Sequence, residues 1–375
     1  MSDAIEVTRR RLLAAGLSLP AAALANSPSL KAVGLFTESG KRYVVDLYGR
    51  RVEIPSVVKR FVCTGTGTLR ITSYLMAFDR LVGIESTDQR YRHDPKRDYA
   101  YANHAFFKTL PIIGKGGGNA FTANPEAILS LEPDVIFTGY APEATEQLAR
   151  ETGLPVISVS YRSLGIVHDT FFEAIKLVGS VLGLEKRAQS VIEFVAKATA
   201  DLERRTADLD GRSGPSVYPG AVTYMGSHGF VGTYSNFGPL SIIRAHSISD
   251  RFDREGFYEA DPEFILEHNP DVIFLDPSNL PLVAEEIKTK RGFFEALKAI
   301  REKRVYSLPS YNQYSTNVSY SLADAYYAGT VLFPERFADV DFKKKFNEIT
   351  SFFNGRGWYD DMAKYGQGYG PLVLL

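Results

Sequence analysis

The sequence predicts an α/β protein of two similar lobes, each built around a central parallel sheet, joined by one long connector helix. The first observation is a repeat: Asn124-Pro-Glu-Ala-Ile-Leu-Ser-Leu-Glu-Pro-Asp-Val-Ile-Phe137 returns as Asp261-Pro-Glu-Phe-Ile-Leu-Glu-His-Asn-Pro-Asp-Val-Ile-Phe274, identical at nine of fourteen positions. The second is the alternation of strand-like and helical stretches around each copy, which makes the lobes Rossmann-like. The third is a run at helical spacing between the copies, through Phe172, Ile175, Val178, Val181 and Leu182. Only two copies occur, whereas solenoids need three or more, so paired lobes with a cleft between them are expected.

Taken in chain order, residues 1–25 have the pattern of an export signal. Arg9 and Arg10 lie in a basic cluster, an uncharged run follows, and Ala23-Leu24-Ala25 offers a small-residue cleavage site. The uncharged run of thirteen residues is too short to cross a bilayer core of about 30 Å as a helix. Paired arginines before Leu12-Leu13 fit a twin-arginine signal, with an ordinary secretory signal as the alternative. Residues 26–41 are read as a polar linker. The first lobe, 42–164, opens with a hairpin from Arg42 to Pro55, followed by strands at Lys59–Cys63, Leu81–Ile84, Val135–Phe137 and Pro155–Val159. Connector helices occupy 165–210, the first running to Leu182 before Gly183, with a length of roughly 25 Å at 1.5 Å per residue. The second lobe, 211–354, starts in a Gly-Pro loop and has strands expected at Ala221–Tyr224, Val272–Leu275 and Val305–Leu308, closed by helices at 319–331 and 342–353. The tail, 355–375, has no clear period. Within each copy of the repeat, Asn124 or Asp261 caps a short helix with proline at its first position, and Pro-Asp then introduces a buried strand.

A chain of 375 residues suits two domains, and 43 basic against 44 acidic residues leave no field that would argue for nucleic acid or an anionic membrane surface. The expected partner is a small molecule. Cys63 is the sole cysteine, so no internal disulfide is possible, and a buried thiol at a strand end is expected. Together with the signal, this points to a soluble, monomeric periplasmic protein.

Several catalytic patterns fail on inspection. Gly65-Thr-Gly67-Thr-Leu-Arg70 sits between a strand and a helix, with Glu85 near the acidic position of a dinucleotide fingerprint, but Arg70 replaces the third glycine. A helix N-terminus facing an anionic group, with Thr66, Thr68 and Arg70, is the preferred reading. Gly114-Lys-Gly-Gly-Gly-Asn119 lacks the Lys-Ser/Thr of a phosphate loop and is read as a cleft rim carrying Lys115. Met225-Gly-Ser-His-Gly229 does not match Gly-x-Ser-x-Gly, and no spaced Cys/His cluster exists. No enzyme activity and no resident cofactor are expected. Polar and aromatic residues gather instead at the expected strand C-terminal ends, where open α/β sheets bind ligands. The candidates are Thr66, Thr68, Arg70, Lys115, Tyr140, Tyr161 and Arg162 in the first lobe, and Tyr224, His228, Asn236, Tyr311, Asn312 and Tyr314 in the second. His228 is also a candidate metal ligand. Jointly these residues describe a cleft able to stack planar groups and pair with negative oxygens.

From Arg42 to Phe353 the chain resembles the class III, TroA-like, helical-backbone substrate-binding proteins of ABC importers. The resemblance rests on the hairpin Val45-Asp-Leu-Tyr-Gly-Arg-Arg-Val-Glu-Ile-Pro55, the duplicated Pro-Glu…Pro-Asp-Val-Ile-Phe and the connector. Ser227-His-Gly229 and Asn312-Gln-Tyr-Ser-Thr-Asn317 are similar to the iron- or haem-type subgroup. It implies a periplasmic receptor holding a metal complex, an iron chelate such as a ferric siderophore or haem-like complex, and delivering it to an inner-membrane permease. It also implies that one glutamate per lobe docks on permease arginines; Glu126 and Glu263 occupy that slot in the two copies. Molybdate, tungstate or cobalamin are the alternative cargoes, and a two-lobed α/β enzyme is the alternative from another class.

Overall fold

The computed structural model describes residues 33–90, 94–118, 120–161, 169–251 and 255–375. The expected signal residues Arg9, Arg10 and Ala25, and the candidate Arg162, lie outside them. An antiparallel sheet comes first, with β1 (Gly34–Glu38), β2 (Lys41–Val45) and β3 (Arg51–Ile54) in sequential order. β1 falls in the stretch read as linker; its register, Phe36 opposite Tyr43, pairs two aromatic faces that stack at 5.6 Å between centroids.

The first lobe then runs β4 (Phe61–Thr64), α1 (Thr68–Tyr74), β5 (Leu81–Gly83), α2 (Asp98–Phe107), α3 (Pro125–Ser130), β6 (Val135–Thr138) and β7 (Val156–Ser158). Its four strands are all parallel, in the order β5-β4-β6-β7. Two helices, α4 (Asp169–Leu182) and α5 (Glu185–Arg205), lead to the second lobe. At 21 residues α5 is about 31 Å long. The second lobe contains β8 (Ser216–Gly220), β9 (Gly232–Ser235), β10 (His246–Ser247), β11 (Gly256–Glu259), α6 (Pro262–His268), β12 (Val272–Leu275), β13 (Val305–Ser307), α7 (Val318–Leu332), α8 (Phe342–Asn354) and β14 (Gly370–Pro371). Its main sheet has the order β10-β8-β12-β13-β14, parallel except for β14.

The strand expected at Ala221–Tyr224 is instead β8, five residues earlier in its start. Its edge is set by Asp271, whose Oδ2 accepts from the Ser216 N–H at 2.8 Å, and by the register Val217 opposite Val272. Pro219 is tolerated within β8 because pairing with β10 has ended at Val217. The unplaced tail supplies β14 and buries Trp358 and Met362.

The repeat occupies equivalent places. β6 lies between β4 and β7, and β12 between β8 and β13. Both strands are buried on both faces, which is why each reads as an unbroken apolar run. Ile128 and Ile136 pack in a core of the first lobe with Val62 and Leu148, and Ile265 and Ile273 in a separate core of the second with Val283 and Leu297. The alternate residues, Phe137 and Phe274, turn to a third cluster shared with α4, α5, α7 and α8. The lobes therefore have private outer cores and one common helical core.

Candidate functional site

The parallel strands of the first lobe all end at one seam. β4 delivers Gly65 to Gly67, β5 delivers Glu85, β6 delivers Tyr140 and β7 delivers Tyr161. Glu85 is buried at its centre. Its Oε2 accepts from the Gly65 N–H at 3.0 Å and its Oε1 from the Tyr140 hydroxyl at 2.7 Å. From the other lobe, the Tyr314 hydroxyl donates to Oε2 at 3.0 Å. Burial pushes this carboxyl up to about 7; the Tyr140 bond opposes that rise, and the Asp88 charge adds to it.

Arg70 is fully buried in the same seam. Its Nε donates to Asp98 Oδ1 at 3.0 Å and its Nη1 to the Tyr161 hydroxyl at 3.1 Å. Nη1 and Nη2 also reach across to the carbonyls of Tyr314 (2.9 Å) and Gln313 (2.8 Å). Asp98 in turn accepts from Tyr74, from Ser319 Oγ at 2.7 Å and from Asn354 Nδ2 at 3.4 Å. A buried guanidinium is thereby matched by a carboxylate and by carbonyls, as burial of a charge requires. The Arg97 guanidinium covers the Tyr314 ring at 3.8 Å.

On the second-lobe side, a cavity at the ends of β8, β12 and β13 is lined by Thr223, Asp276, Ser310 and Asn312 with Phe237 and Tyr311; about 10 Å³ is open to water centres, room for about one water. Thr223 Oγ1 and the Ser278 N–H donate to Asp276, whose carboxyl is raised by burial. Past β8, the rings of Tyr224 and His228 both lie on Phe257, at 5.2 and 4.2 Å.

Most of the expected site residues have protein partners in this structure. Arg70, Tyr140, Tyr161 and Tyr314 are brought together, but their polar atoms bond to each other, to Glu85 and to backbone across the seam. Thr68 Oγ1 donates to the Thr64 carbonyl inside the first lobe. Tyr311 is buried against Phe237. Asn236 is exposed in a left-handed turn, φ +57°, where its N–H donates to Asp250 at 2.6 Å. His228 Nε2 bonds to the Tyr224 carbonyl at 2.8 Å, and among the described residues no group of three or more His, Cys, Asp or Glu is placed to hold a metal. Thr66 is half-buried at the turn into α1, Asn312 half-buried beside the cavity, and Lys115 exposed. The Lys115 hairpin closes through the Gly114–Ala123 bridge, and its Gly117 N–H donates to the Tyr314 hydroxyl at 3.0 Å. Glu126 and Glu263 are exposed on the first turns of α3 and α6, below caps in which Asn124 and Asp261 accept from the Ala127 and Glu263 N–H groups. Glu85 and Asp98, which organise the seam, were not among the expected site residues: Glu85 was noted only for a fingerprint that the sequence does not complete, and Asp98 opens α2 with no motif around it.

A model of the family described as periplasmic binding protein matches residues 61–312. The chain is 25% identical over 354 residues to the molybdate-binding protein MolA of Haemophilus influenzae, covering 88% of this chain and 95% of that one. The crystal structure of MolA bound to molybdate superposes with a TM-score of 0.64 at 21% identity, over 84% of this chain and 99% of that chain. A periplasmic solute-binding protein from Veillonella parvula gives 0.66 at 18% identity, over 87% and 96%. The TroA-like periplasmic binding protein FepB from the same species gives 0.60 at 21%, over 84% and 97%. The two-lobed α/β architecture described above matches the fold of these solved structures. The chain belongs to the periplasmic binding protein family, a family of solute-binding proteins rather than enzymes.

Proposed function

We propose that this receptor captures a small oxyanion of the molybdate or tungstate kind at the seam and hands it to a permease docked on Glu126 and Glu263. One observation carries the choice of cargo: the two halves meet directly through residues 313–316, and the tyrosines that would line a wide aromatic cleft are already engaged there. A compact tetrahedral anion suits such a seam better than a broad chelate would. Lys115 brings positive charge to the rim, and the relative MolA is named for molybdate. Residues 1–25 would direct export, with cleavage after Ala25.

The iron-chelate reading retains one supporting observation. Tyr224, His228 and Phe257 form a partly exposed ring stack past β8, a surface on which a planar or catecholate group could lie. Elemental analysis of the protein isolated from periplasm distinguishes the two. Molybdenum or tungsten approaching one atom per chain supports the oxyanion; iron with a visible absorption band contradicts it.

A further inference from the structure

We propose that Gln313, Tyr314 and Ser315 form an interlobe latch, seated on Arg70 and Glu85, that holds the two halves together whether or not cargo is present. The latch follows β13 and enters α7, so it belongs to the second lobe, yet its bonds run to the first. Arg70 takes the carbonyls of Gln313 and Tyr314 at 2.8 and 2.9 Å. The Tyr314 hydroxyl donates to Glu85 at 3.0 Å while accepting from the Gly117 N–H at 3.0 Å. Ser315 Oγ donates to the Tyr161 carbonyl at 3.0 Å, and the Tyr161 hydroxyl returns a bond to the Thr316 carbonyl at 3.1 Å.

Two further features make this segment a device with two states. Tyr314 and Ser315 both adopt left-handed backbone conformations, φ +57° and +70°, which side-chain-bearing residues rarely do in succession. Such strain persists only where surrounding contacts over-determine it. The turn's own Asn312–Thr316 bridge supplies part of that restraint and the opposite lobe the rest, so separation of the lobes removes the interlobe share and lets the tip relax. The receiving surface is also specific: Gly67, at φ +82°, lies so close that a Cβ there would come within 2.8 Å of Ser315 Cβ and 3.0 Å of Tyr161 Cε1. The segment is seated on bare backbone. Bonds favouring closure and strain opposing it leave the closed state stable but releasable, which a delivery protein requires.

The test uses the cargo-free protein with spin labels at E151C and K288C, exposed positions on the first and second lobes; Cys63 is buried and takes no label. Pulsed electron paramagnetic resonance then reads the interlobe distance. The unsubstituted background should give one dominant distance. Tyr314→Phe removes the hydroxyl shared by Glu85 and Gly117, and Gly67→Ala wedges the seat from the other lobe. Each should raise the fraction at one common longer distance several-fold, with a cooperative thermal transition retained to show a folded chain. Distributions unchanged in both variants, or new distances that differ between them, would overturn the latch.

Discussion

At Asp98 the side chains of Arg70, Tyr74, Ser319 and Asn354 converge in a region closed to solvent. Removing the carboxylate strands the Arg70 guanidinium, and breaking a buried pair from one side costs about 3–5 kcal/mol. Asp98→Ala should lower stability by that amount in chemical denaturation, whereas Asp98→Asn, which keeps the acceptor oxygen, should lose less. Glu85 poses a different problem, because its carboxyl is raised from 4.5 to about 7 by burial. An acid whose folded-state pKa is raised favours the fold in its neutral form. That contribution is complete below pH 4.5 and is lost as pH rises through 7. Relative to Glu85→Gln, which has no proton to lose, the unsubstituted protein should therefore lose about 3 kcal/mol between pH 4.5 and pH 7–8. Unfolding titrations of both proteins across that range measure the difference; a parallel pair of curves would contradict it. The Cys63 thiol is raised by burial, so thiol reagents should modify it only on unfolding.

Among the elements, the duplicated helices α3 and α6 are the most legible in the sequence. Cap, proline, acidic first turn and following strand are all local signals, and the structure places each where the spacing does. Asn124→Ala and Asp261→Ala should each cost about 1 kcal/mol through loss of one cap bond. β8 was less legible, because Pro219 interrupts a strand-like pattern and is permitted only by where β10 happens to stop. β1 was hidden because three of its five residues are exposed and none is buried, so it shows no apolar alternation, although its partner β2 follows after a two-residue turn. The site was the least legible. Tyr140, Tyr161, Tyr311 and Tyr314 were recognised as strand-end residues, but composition cannot tell an aromatic that faces cargo from one that seals the lobes to each other. That distinction depends on contacts up to 244 residues apart, as between Arg70 and Tyr314.

For the whole molecule, the two lobes are joined by a shared helical core and by direct contacts across the seam. Glu126 and Glu263 stand exposed on the matching first turns of α3 and α6, the positions proposed to meet a permease. Exposed ion pairs contribute about 0–1 kcal/mol each, which suits orientation more than affinity. Glu126→Ala combined with Glu263→Ala should abolish cargo uptake by cells while leaving cargo affinity unchanged in the purified protein. Loss of affinity instead would place these carboxylates in the binding site. The central claim, that the seam is built for a small oxyanion, is tested most directly by isothermal titration calorimetry with sodium molybdate and, separately, a ferric tris-catecholate complex. Saturable one-to-one binding of molybdate with no heat from the chelate is the expected result; saturable binding of the chelate with none of molybdate would contradict it.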